Sequence, residues 1–142
     1  MLTREGIEGD RHRNLKYHGG PDKAVLMLPA EKLEELRNGG YRVIAGSLGE
    51  NLTVQGLDAA RWRAGQRYRI GEDAVIELTT LRTPCLNLNV FDPAIKAELY
   101  DARCKAGNPD TPKWAGGGFY ARVVHEGLLI AGSPVSLLSE MA

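Results

Sequence analysis

Ala74-Val75-Ile76-Glu77-Leu78-Thr79-Thr80, running on into Leu81-Arg82-Thr83-Pro84-Cys85, is the stretch on which the fold reading turns. Val75, Ile76 and Leu78 supply apolar mass and the two threonines supply β-branching, the make-up of a strand rather than a helix. Cys85 therefore falls just beyond a strand end, where a side chain can face a cleft. Arg82 is a permanent cation able to lower a thiol pKa, while Pro84 fixes its own φ and restrains Thr83. Two readings of Cys85 fit these residues. One is a small buried hydrophobe; the other is a reactive thiolate that serves as a metal ligand or a sulfur carrier.

The same pattern reading extends along the chain in both directions. Residues 24–28, an apolar run bounded by turn residues, read as a buried strand. Pro29 then opens a short surface helix over 30–38 with a solvated charged face, stopped by Gly39-Gly40. Residues 52–54 and 67–70 read as strands between glycine turns. Asp92-Pro93 starts a helix over 93–103, carried by Ile95, Leu99 and Ala102 at helical spacing. Residues 107–118, rich in Gly and Pro, read as a mobile loop that either covers a site or merely connects. Residues 119–125 and 128–131 read as a hairpin around Glu126-Gly127, and 135–138 as a last strand. Six or more short strands with two short helices fit a closed or nearly closed β-barrel.

Length and composition narrow the function classes. A chain of 142 residues supports one core and one domain, 1–142. Eighteen basic and 18 acidic side chains cancel, so net charge gives no reason to expect a nucleic acid or an anionic membrane as partner. Any anionic ligand has to be held by local charge. Two cysteines make no disulfide framework, and no apolar run approaches bilayer-spanning length. A soluble, cytoplasmic protein with Cys85 and Cys104 unbridged is the expectation.

Four stretches in this order resemble the MOSC domain, the module named for its place at the C-terminal end of molybdenum cofactor sulfurases. They are Gly9-Asp10; His18-Gly19-Gly20-Pro21-Asp22-Lys23-Ala24-Val25; Gly49-Glu50-Asn51-Leu52-Thr53 with Gly56-Leu57; and Arg82-Thr83-Pro84-Cys85. Gly118-Phe119-Tyr120-Ala121-Arg122-Val123 is similar to the family's closing strand. The resemblance implies a mostly β, MOSC-type β-barrel with two or three short helices. It also implies that a family strand usually found upstream of Gly6-Ile7-Glu8-Gly9-Asp10 is missing here. It implies the molybdenum cofactor, a molybdopterin, with Cys85 as the protein ligand to the metal. The activity implied is reduction of small N-hydroxylated substrates such as hydroxylaminopurines and amidoximes. The chain has no iron-sulfur cysteine motif or flavin signature, so electrons must come from an external donor protein.

The remaining candidates each have a structural alternative. Arg82 either anchors the cofactor phosphate through its fork or sits in a surface ion pair. Lys23 and Arg122 add charge to the same pocket or are simply solvated. His18, before two glycines, donates to cofactor or substrate or stabilises its turn. Asp22 relays protons to substrate or bonds the amides of that turn. Asn51 suits the heteroatoms of a pterin edge or braces its loop. Cys104 matches no motif. Two rival functions remain beside the reductase: a sulfur carrier with a Cys85 persulfide, and a non-catalytic cofactor-binding module.

Overall fold

The computed structural model describes residues 1–4, 6–7, 21–83 and 94–140. Cys85 and His18 lie outside the described residues, as do Gly9-Asp10 and the Asp92-Pro93 helix start. The chain divides into two compact units. The first comprises Met1–Leu26, Arg63–Thr80 and Tyr120–Ala142, and the second Met27–Trp62 and Leu81–Phe119.

The expected mostly β class with few short helices is what the chain forms. Strands β1 (Leu2–Thr3) and β2 (Gly6–Ile7) make a small antiparallel pair. The main sheet has six strands: β3 (Val25–Pro29), β4 (Leu52–Val54), β5 (Gln66–Ile70), β6 (Ala74–Leu81), β7 (Phe119–His125) and β8 (Val135–Glu140). Their order across the sheet is β4-β3-β7-β6-β5-β8. β3 and β4 run parallel, whereas β5 pairs antiparallel with both β6 and β8.

In the first unit, alternation sorts the two sheet faces. Tyr68, Ile70, Ala74, Ile76, Leu78, Ala121 and Val123 are buried, and the residues between them, including Arg67, Arg69, Glu77 and Arg122, fall on the opposite face. In the second unit, α1 (Ala30–Asn38) sets Leu33 and Leu36 against Leu28, Val43, Leu48, Ile95 and Leu99. Each such side chain contributes about 1.5–3 kcal/mol relative to exposure. The helix stops where Gly40 takes φ +95. There Gly40 N–H reaches Arg37 O at 3.0 Å and Tyr41 N–H reaches Leu36 O at 3.0 Å, with Tyr41 packed against the core. Its charged face is not wholly solvated as expected, because Lys32 is buried and paired with Glu35 at 3.1 Å.

Three expectations are corrected. The helix expected over 93–103 is two short ones, α2 (Ile95–Leu99) and α3 (Ala102–Lys105). Tyr100 and Asp101 are extended between them, and the Asp101 carboxylate caps α3 by accepting from Cys104 N–H at 2.9 Å. The hairpin over 119–131 does not form. Residues 128–131 make no strand and leave Leu128 and Ile130 exposed, and β8 takes its pairing from β5. The loop expected to be mobile is anchored: Thr111 Oγ1 donates to Asp101 at 2.5 Å, and the Trp114 indole N–H donates to Trp62 O at 2.8 Å. Residues 114–118 are buried. No described helix is long and apolar enough to cross a membrane.

The Asp101 cap carries a pH signature. The hydrogen bond from Thr111, aided by Cys104 N–H, lowers its carboxyl from the ordinary 3.8 to about 2. Because the folded-state pKa lies below the unfolded one, the stabilisation is present above pH 3.8 and is lost as pH falls toward about 2. Thermal melts between pH 5 and pH 2 should show a steeper acid-side drop in the native protein than in Asp101→Asn. Parallel curves for the two would remove the cap from the account.

Candidate functional site

The residues around Arg82 belong to the second unit. β6 ends at Leu81, and Arg82 follows with only 2% of its surface exposed. Its backbone N–H donates to Gly118 O at 3.0 Å and its Nη1 donates to Gly117 O at 3.2 Å. The surface ion pair is therefore ruled out by burial, and among the described residues no carboxylate pairs with this guanidinium. Burial of a charge is costly until it is compensated, and the partner of this guanidinium among the described residues is a neutral carbonyl.

The carbonyl that receives Arg82 is itself held in place. Ala115 is fully buried at φ +61, a left-handed conformation that costs a non-glycine residue about 1 kcal/mol or more. Gly118 N–H returns to Ala115 O at 3.0 Å, and Trp114 meets Phe119 edge to face with centroids 6.0 Å apart. A Cβ at Gly116 would lie 3.0 Å from Lys113 O and 3.1 Å from Leu99 O, both backbone atoms, so this turn admits only glycine without movement. Arg82 thereby ties the end of β6 to a buried turn.

Asn51 is half-buried and directly precedes β4. The turn before it is braced by Glu50, a residue given no role above. Glu50 is buried, and its carboxylate accepts from Gly46 N–H at 3.0 Å, Leu48 N–H at 3.2 Å and Thr53 Oγ1 at 3.0 Å. The signal was present, because a glycine-punctuated turn leaves backbone amides free for a nearby carboxylate.

Asp22, Lys23 and Arg122 belong to the first unit. Asp22 is exposed, and its backbone carbonyl accepts from Thr79 Oγ1 at 2.5 Å, which ties its turn to β6. Lys23 Nζ lies 5.1 Å from the centroid of the Tyr120 ring, within cation–π range. Arg122 pairs with Glu77 at 2.5 Å, and Arg67 holds the other oxygen of that carboxylate at 2.9 Å, so part of the Arg122 charge is already engaged. Cys104 is buried, and burial pushes its thiol pKa up, in keeping with a structural residue.

Comparison with known proteins places these residues in context. YflK of Bacillus subtilis (strain 168) is 36% identical over 140 residues, covering 98% of this chain and 58% of that protein. YiiM of Escherichia coli (strain K12) is 33% identical over 147 residues, covering 100% of this chain and 60% of that protein. The crystal structure of Escherichia coli YiiM superposes with TM-score 0.70 at 30% identity, over all of this chain and 63% of the other. A protein of Gibberella moniliformis (strain M3125 / FGSC 7600) named Reductase is 27% identical over 142 residues, covering 94% of this chain and 22% of that protein. The chain thus spans less than two thirds of the length of the relatives it matches most fully. The MOSC domain model matches residues 14–136, nearly the whole sequence, and the chain belongs to the MOSC domain family.

Proposed function

We propose that this protein binds the molybdenum cofactor and reduces small N-hydroxylated compounds, R–NHOH taking up two electrons and two protons to give R–NH2 and water. The observation that carries this reading is Arg82, a cation 2% exposed and paired with no carboxylate among the described residues, three positions before Cys85. An anionic cofactor answers that need, and a soft thiolate suits molybdenum. The relative named Reductase points the same way.

When bound, the cofactor supplies a metal able to pass two electrons to the N–O bond. The chain's own residues do the rest. Cys85 would provide the metal-binding thiolate, Arg82 would neutralise the phosphate, and Asn51 would offer a donor and an acceptor to the pterin. Electrons come from an external donor protein.

Metal and pterin analysis of protein purified from a host that makes the cofactor tests the proposal. We expect close to one molybdenum and one pterin per chain. Cyanolysable sulfur with neither would overturn the proposal in favour of a sulfur carrier, and absence of all three would leave a non-catalytic module.

A further inference from the structure

We propose that the open cavity of about 290 Å³ lined by Thr83, Lys96, Ala97 and Tyr100 selects substrates that combine a planar ring with an anionic group. This inference rests on the reductase reading, since it assigns a substrate preference to that reaction. The cavity has the size of the smallest ligand sites and suits a single ring.

Its walls follow from the break between α2 and α3. Lys96 and Ala97 stand on α2, and Tyr100 follows at φ −157, ψ 144, where the helix has ended and the Asp101 cap holds the chain on its new course. Had the helix run through to residue 103 as its apolar spacing suggests, Tyr100 would instead lie on the helix surface. The Tyr100 hydroxyl stands 3.5 Å from Thr83 Oγ1, at the outer limit of a hydrogen bond, so both hydroxyls can turn to a ligand at little cost. The phenol ring offers a stacking face.

Lys96 decides the charge preference. It is half-buried and forms no ion pair among the described residues. Glu98, two positions along the same helix, does not share its face. Lys113, the other cation nearby, has its ammonium donated to Ala97 O. Among the described residues, Lys96 is thus the cation of this cavity that remains for a ligand carboxylate.

Calorimetric titration of the full chain with 4-carboxybenzamidoxime and with benzamidoxime, in the absence of an electron donor, reads the preference without turnover. We expect the carboxylated compound to bind about fivefold tighter, the upper range for a partly exposed ion pair. Lys96→Gln should abolish that ratio, and Tyr100→Leu should weaken both ligands about fivefold through loss of the stacking face. Equal affinities in the native protein, a preference that survives Lys96→Gln, or binding of neither compound overturns the inference. A Lys96-dependent preference in a protein that reduces neither compound once a donor is added would instead sink the reductase reading and leave an anion-selective ligand pocket standing.

Discussion

Cys85→Ser should fold and melt like the native protein yet lose reduction of an N-hydroxylated base or amidoxime by more than about 100-fold, the scale at which even supporting residues of a metal site act. Serine keeps nearly the same volume, so the packing has no reason to fail. What changes is the donor. A thiol ionises at a pKa several units below that of an alcohol, and only the soft thiolate matches molybdenum, so the serine hydroxyl offers neither charge nor polarisability. Activity and bound molybdenum should be measured together on the reconstituted protein. If both fall, the ligand role holds; if activity survives in full, Cys85 is an inert core thiol and the reductase reading goes with it. Loss of activity with full molybdenum content would move the residue from metal ligand to some later role, which the proposed chemistry does not provide.

What the sequence disclosed depended on how local the determining interactions are. The helix over 30–38 and the strand over 52–54 were legible to the residue, because Pro29, Gly39-Gly40 and Gly56 act within a few positions of the boundaries they set. The break at Tyr100 was not. Ile95, Leu99 and Ala102 keep helical spacing across it, and only the Asp101 carboxylate, bonded to Thr111 ten residues on, makes a second helix start cheaper than continuing the first. The loop over 107–118 misled for the same reason at longer range. Its glycines signal freedom, but the groups that hold it, Trp62 and Arg82, lie 52 and 35 residues away along the chain. Leu128 and Ile130 alternate like a strand, yet β7, their partner in the expected hairpin, lies between β3 and β6 in the sheet, so the apolar pattern finds no free edge there. At the site, residue types were readable from the motif stretches, whereas the burial that separates a surface ion pair from an enclosed cation at Arg82 was not. Glu50 is the reverse case, a local brace with its donors four, two and three residues away that sequence reasoning could have found.

Arg82→Ala should lower stability by about 3 kcal/mol and also weaken cofactor retention, and the two losses are separable. The stability cost has two parts. The buried Gly117 carbonyl loses its Nη1 donor, worth about 1–3 kcal/mol when left unpaired, and the aliphatic stem leaves a void. The backbone bond from Arg82 N–H to Gly118 O does not depend on the side chain and should persist, so the turn is loosened rather than released. For a chain of this size, a loss of that order moves the melting midpoint by about 10 °C, readable by circular dichroism. Retention is tested on the folded fraction alone, with Arg82→Met beside it, because methionine refills much of the void without restoring the cation. If Arg82 serves only as a structural clamp, Arg82→Met should recover part of the stability and bind molybdenum as well as the native protein. The anion-anchoring role requires the opposite: recovered stability with molybdenum still lost on gel filtration, because the phosphate would then face an apolar wall in place of a guanidinium.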